Sequence, residues 1–252
     1  MLRVTLLLLL AARLEAATEY RLTIDITGNL PSRALGPSVY TVLVDGANRR
    51  VLNENGDGFL SNDGGRTKIH LDSKLRTWWT TRGSSIVFRL HPTTRLPVLV
   101  MGEVRDVRVV SSDEPSDEVF ADLPTHKYVV RATYTLAADI DGSPLSAEYG
   151  LTIFIWTSQT LDRATAVPPA DLTSGVAEVD AKLTPRIVAI PGFPLKTVLI
   201  GTRAYAGGKP QASILTATVS DIRNVTPPQG AFDRPPDYKN QAPVIRARGA
   251  IP

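Results

Sequence analysis

The chain has 252 residues, 43% hydrophobic and 21% charged, with a formal net charge of +3 and no cysteine. Apolar content near the globular average excludes a wholly disordered chain, and the length fits one β-rich domain or two small ones. The missing cysteine excludes a disulfide framework, a thiol nucleophile, a Cys-ligated zinc, an iron–sulfur cluster and a bacterial lipobox.

The chain opens with Met1-Leu2-Arg3, an apolar run from Val4 to Ala12, and small residues at Ala16 and Ala17. A basic start, a short apolar core and a small-residue exit are the layout of a secretory signal peptide. The run is about half of the ~20 residues that a membrane-spanning helix needs. Residues 1–17 are therefore predicted to direct export, with cleavage near Ala16 or Ala17, and the mature chain is expected in the periplasm or the medium, without a lipid anchor. Losing Arg3, Arg13 and Glu15 takes the formal charge from +3 to +2. Basic residues such as Lys68, Lys74, Arg76, Arg82 and Arg89 are spread singly, so no phosphate-binding face for nucleic acid is expected.

Alternation then dominates. In Tyr20-Arg21-Leu22-Thr23-Ile24-Asp25-Ile26 the even positions are apolar and the odd ones polar, the period of a strand with one wet face. Similar stretches follow at Val39 to Val44, Arg66 to Leu71, Leu75 to Trp79, Ile86 to Leu90, Val98 to Met101 and Val104 to Val110. The acidic run Ser111 to Glu118 reads as a solvated loop. Longer strands are predicted at Tyr128 to Leu136, Ala147 to Trp156, Leu195 to Arg203 and Ala212 to Ile222. Asp45-Gly46, Asn55-Gly56, Asp57-Gly58, Asp63-Gly64-Gly65, Asp141-Gly142 and Gly207-Gly208 supply turns between them. About eleven strands joined mostly by short turns imply an antiparallel meander, since parallel pairing needs long crossovers.

One region breaks the period. Within Asp171 to Leu183, Val176, Val179 and Leu183 fall at helical spacing, with Thr173 and Ser174 as candidate N-caps and Pro185 as the expected stop. A sheet with one wet face and so little helix to cover the other must curl into a barrel or half-barrel, fold into a sandwich, or keep an apolar concave face for a ligand. From Pro227 onward the chain carries six prolines. Residues 18–238 are predicted to form one domain and residues 239–252 a disordered tail.

Four segments carry a resemblance: VYTVLVDGANRRVLNENGDGFLSNDGGRTKIHLDSKLRTWW at 39–79, GLTIFIWTSQTLD at 150–162, IPGFPLKT at 190–197 and TATVSDIRNVTPPQGAFDRPPDYK at 216–239. Their layout resembles a bacterial exported family grouped with the LolA/LolB-like lipoprotein carriers. The resemblance implies a strongly curved antiparallel half-barrel, one or two short helices against its concave face, and an apolar cavity between them that in the carriers shelters acyl chains. The carriers' N-terminal helix is not evident before Tyr20, and the resemblance brings no catalytic residue with it.

The chemistry is sparse. His70 falls in an alternating strand, His91 precedes Pro92, and His126 follows Pro124, none beside a Gly-x-Ser-x-Gly elbow. Asn53 to Gly58 hints at a calcium loop, but position 12 counted from Asn53 is Gly64 where a bidentate Glu is needed. Aromatic residues are the remaining lead. Trp78 and Trp79 must point to opposite faces, as must the set Tyr149, Leu151, Ile153, Ile155 and the set Phe154, Trp156. Candidates for lining an apolar cavity are Trp78, Phe88, Tyr134, Leu151, Ile153, Phe154 and Trp156 from strands, with Val176, Val179 and Leu183 from the helix. The same residues would also serve as ordinary core.

The function expected is non-enzymatic, without cofactor or metal. It is the binding or carriage of an apolar ligand such as a lipid or a lipoprotein acyl chain, with peripheral contact to the cell envelope. The alternative is an envelope structural or interaction module that uses the tail or the strand edges. A secreted hydrolase would require the histidines or clustered acids to converge. An outer-membrane barrel fits less well, because only 6% of residues are aromatic and Arg21, Asp25, Arg131 and Glu148 occupy exterior positions.

Overall fold

A computed structural model describes residues 16–28, 37–82, 103–140, 143–166, 174, 176–205 and 208–241. The predicted signal peptide lies outside them apart from Ala16 and Ala17, as do the predicted strands at 86–90 and 98–101. Among the described residues the fold is mainly β, with one α-helix. No described helix is long and apolar enough to cross a membrane.

The strands are β1 Ala17–Gly28, β2 Ser38–Asp45, β3 Asn48–Asn53, β4 Gly58–Ser61, β5 Thr67–Asp72, β6 Thr77–Arg82, β7 Glu103–Glu114, β8 Val119–Phe120, β9 Leu123–Pro124, β10 His126–Ile140, β11 Ser143–Ser158, β12 Phe193–Tyr205, β13 Gln211–Val225 and β14 Lys239–Asn240. Twelve of them form one sheet in the order β14-β6-β5-β4-β3-β2-β1-β13-β12-β11-β10-β7, while β8 and β9 make a separate hairpin. The sheet is therefore two meanders, β1 to β6 and β7 to β13, joined where β1 pairs antiparallel with β13. The predicted antiparallel meander holds except at β14, which pairs parallel with β6.

Two corrections concern the count and the acidic run. Beyond the strands that alternation predicts, the sheet contains β3, β4 and β14, and the hairpin adds β8 and β9. The first half of the acidic run is not loop: Ser111 to Glu114 complete the edge strand β7, paired with Val130, Val129, Tyr128 and Lys127. Elsewhere the turn chemistry acts as read. Ile140 pairs with Ser143, so β10 and β11 are joined as a tight hairpin, while Asp141 and Gly142 themselves lie outside the described residues. The Asn53 to Gly58 segment is a turn whose side chains are spent on backbone: Asn53 Oδ1 accepts from the amides of Asn55 and Asp57 at 3.0 and 2.9 Å. Asp57 Oδ1 in turn accepts from the Ser73 amide and hydroxyl, each at 2.7 Å.

The helix α1 spans Ala177–Val188 and includes Pro185 rather than ending before it. Continuing past the proline carries Ile187 and, just beyond the helix, Ile190 into the core beside Val179 and Leu183. A proline inside a helix costs about 3 kcal/mol. Burying two isoleucines returns about 1.5–3 kcal/mol each, which decides the boundary. The N-terminus also differs from expectation. Val176 is the N-cap and makes no side-chain cap bond, while the Ser174 hydroxyl accepts from the Val176 amide at 3.1 Å. The Asp180 carboxylate reaches back to the Ser174 amide at 2.6 Å.

Candidate functional site

One face of the sheet is apolar across both meanders. Cross-strand partners point to the same side, so the register fixes which residues share that face. A line of partners runs Val130, Ile153, Leu199, Leu215 and Ile26 across β10, β11, β12, β13 and β1. A second runs Tyr20, Val42, Val51, Phe59, His70 and Trp79 across β1 to β6. Helix α1 lies over the first line, against β7 and β10. Lys182 fastens it by donating to the Val107 carbonyl at 3.1 Å, and Arg186 lies 3.5 Å from the Ser111 hydroxyl.

Of the ten residues predicted to line a cavity, six come together here. Tyr134, Leu151, Ile153, Val179 and Leu183 are buried in one cluster beneath α1, and Val176 packs against it. The Tyr134 and Tyr149 rings stack with centroids 5.2 Å apart at the N-terminal end of the helix. Burial, with smaller contributions from Tyr149 and Asp180, pushes the Tyr134 hydroxyl well above the usual phenol range.

Three of the ten lie elsewhere. Phe154 and Trp156 occupy the opposite face of β11. Trp156 is only 8% exposed because the β8–β9 hairpin covers it. Phe120 meets its ring edge-on at 5.8 Å and Glu118 takes its indole N–H. Its cross-strand partners Lys127 and Lys196 place their ammonium groups 5.7 and 5.1 Å from the ring centre. Trp78 is likewise turned away from the Phe59, His70 and Trp79 line, with the Arg234 guanidinium 4.2 Å over its ring. Phe88 lies outside the described residues.

The second line is closed by a different device. A 3-10 turn, Arg163–Thr165, is capped by Asp162, whose carboxylate accepts from the Ala164 amide at 2.8 Å. Alternation on β3 places Arg49 on the same face as Val51. There its guanidinium donates to the carbonyls of Ala166 and Ala164, each at 3.1 Å. The Tyr20 hydroxyl donates to the Thr165 carbonyl at 3.3 Å and its ring meets Phe193 edge-on at 5.4 Å. Ala166 is buried in this second core cluster with Tyr20, Val42, Val51, Phe59 and Phe193.

Sequence reasoning missed Arg49 and Lys68, the two cations buried on this face. His70 belongs to the second line: its ring stacks on Trp79 at 5.1 Å and its Nε2 lies 2.9 Å from the Thr81 hydroxyl. Burial, then the Lys68 charge, holds its imidazole below the usual histidine range. Among the described residues no carboxylate orients its other ring nitrogen as a hydrolytic triad would require. His126 contacts Asp113 at the exposed end of β10. His91 lies outside the described residues.

No protein-family model matches the chain, and comparison with curated proteins finds no match.

Proposed function

We propose that this is a non-enzymatic exported protein whose sheet, curved as a half-barrel, shelters an apolar ligand such as a lipid or a lipoprotein acyl chain beneath α1 and the Arg163–Thr165 turn. The observation that carries this reading is an apolar sheet face whose described cover, α1 and the Arg163–Thr165 turn, is held by side-chain packing and a few hydrogen bonds rather than by strand pairing. The helix lies mainly against β7 and β10, and the turn is fastened by hydrogen bonds from Arg49 and Tyr20 to carbonyls. Such a cover can part from the sheet without breaking its ladder, and the side chains beneath α1 are aliphatic and aromatic, as in an acyl-chain site. The resemblance to the lipoprotein carriers points the same way.

Native mass spectrometry of protein purified from the exported fraction, together with titration of a fluorescent fatty acid, tests the reading. Expected is a co-purifying lipid or saturable binding of about one fatty acid per chain. Protein that is empty and takes up no fatty acid overturns it.

A further inference from the structure

After β13 the chain runs on as an arm, Thr226 to Gln241, which ends at one edge of the sheet as β14. Its hold there is small and local. The amides of Lys239 and Gln241 donate to the carbonyls of Arg76 and Trp78, each at 2.9 Å. The exposed Asp237 carboxylate pairs with the exposed Arg76 guanidinium, and Arg234 lies 4.2 Å over the Trp78 ring. Among the described residues no other hydrogen bond, ion pair or ring contact joins the arm to the rest of the chain. No residue of the arm is buried, and neither core cluster draws a member from it. Lifting the arm therefore leaves the core whole and uncovers the β6 edge, whose Arg76 and Trp78 carbonyls lose their donors. An unpaired edge is a template for any chain with matching donors.

The route to the chain's own β6 is bent. The amides of Ala231, Asp233 and Tyr238 donate to the carbonyls of Pro228, Gly230 and Pro235 at 3.0, 3.0 and 3.2 Å, and Gly230 holds φ at +73°. Extended at about 3.3 Å per residue, the chain from Val225 to Lys239 would reach about 46 Å, and these turns take up the slack. Pro227-Pro228 and Pro235-Pro236 favour the extended form instead. Among the described strands β14 is outermost, so its edge faces away from the sheet. A straightened arm has the reach to cap the β6 edge of a second copy, where Arg76 and Trp78 offer the same carbonyls, the same ion-pair partner and the same ring.

We infer that residues 226–241 are an exchangeable arm, and that two copies of this chain pair by trading arms, each laying Lys239–Gln241 on the β6 edge of the other. The pairing is reciprocal and two-fold, and it swaps every arm contact for an identical one. Closure within one chain prevails in dilute solution, because a short flexible linker holds its ends at an effective concentration of about 1 mM. Exchange takes over as the protein itself approaches that concentration.

The chain has no cysteine, so introduced thiols report without interference. Thr77 and Lys239 are register partners about 4.8 Å apart, within the span of a disulfide. Thr77→Cys and Lys239→Cys placed in one chain should oxidise to a cross-linked monomer at about 10 μM and to covalent dimers amounting to about half near 1 mM. Thr77→Cys protein mixed with Lys239→Cys protein near 1 mM should give the mixed disulfide at more than about five times either like-with-like product, where random collision gives about twice. A mixed product at only the random level overturns arm exchange while the docked arm stands. Absence of the cross-linked monomer overturns both. Should the variants fail to fold, light scattering of the wild-type protein decides: a dimer fraction rising toward about half near 1 mM is expected, and a strict monomer there sinks the proposal.

Discussion

The guanidinium of Arg49 donates to the carbonyl of Ala166, a residue 117 positions further along the chain, across a 3.1 Å bond buried from solvent. With its companion to Ala164, this bond ties a turn that follows β11 to a short strand of the other meander. Replacing Arg49 with Ala should cost about 2–4 kcal/mol, because two carbonyls lose a charged donor and the stem leaves a void. Arg49→Lys should recover less than half of that, since one ammonium does not reproduce a fork. Urea midpoints at unchanged slope measure both.

Gly58 opens β4 at φ +150°, a conformation that side chains rarely adopt, and a Cβ there would stand 1.9 Å from the Val51 carbonyl oxygen. The strand meets its neighbour too closely for any side chain at this position. Gly58→Ala should therefore separate β3 from β4 locally and destabilise the protein by more than about 2 kcal/mol. Gly46→Ala is the control: its φ is +55° and a Cβ there meets nothing within 4 Å, so only the milder left-handed penalty of about 1 kcal/mol applies. Thermal melting of the two variants should rank them in that order.

His70 sets one limb of the pH dependence. Its folded pKa lies below the ordinary 6.5, first through burial and then through Lys68, so folding favours the neutral ring. The associated stability is complete above pH 6.5 and is lost as pH falls through the folded value. Asp63 acts in a lower window: the Thr67 amide, more than any other partner, draws its pKa from 3.8 down to about 2, so its contribution is present above pH 3.8 and disappears toward pH 2. In a pH series of melting temperatures, His70→Phe should flatten the slope just below pH 6.5, and Asp63→Asn should flatten the one between about 4 and 2. Wild-type slopes retained in the variants would assign the limbs to other groups.

Sequence periodicity located the long strands because their side chains alternate strictly. Leu151, Ile153 and Ile155 are on one face and Phe154 and Trp156 on the other, as the pleat demands, but periodicity alone could not say which face α1 would choose. The helix settles on the aliphatic set, and Trp156 is covered instead by the β8–β9 hairpin, whose two-residue strands are too short to show a period. The strand β3 escaped for a different reason. Asn48-Arg49-Arg50-Val51-Leu52-Asn53 reads as polar, yet Arg49 shares its face with Val51 and Lys68 shares its face with His70, an alternation visible only once a buried cation is admitted as an inward residue. Pro185 misled in the opposite direction, since the local preference for stopping there was outweighed by Ile187 and Ile190 further along. Lys239 and Asn240, read as the start of the tail, add to β6 through amide bonds from Lys239 to Arg76 and from Gln241 to Trp78, each 2.9 Å.

The seam between β1 and β13 joins Ala17 to Val225 and Gly28 to Ser213, so β1 is completed by a strand that lies far along the sequence. The first meander contains only neighbour-to-neighbour hairpins and can assemble as its residues arrive, but the seam requires loop closure over nearly two hundred residues. A chain emerging N-terminus first would thus hold β1 with one filled side and one open edge until residues 211–225 follow. During that interval β1 presents Leu22, Ile24 and Ile26 beside an unpaired backbone, the combination that recruits other strands. The architecture ties the safety of the newborn protein to the prompt delivery of its C-terminal third.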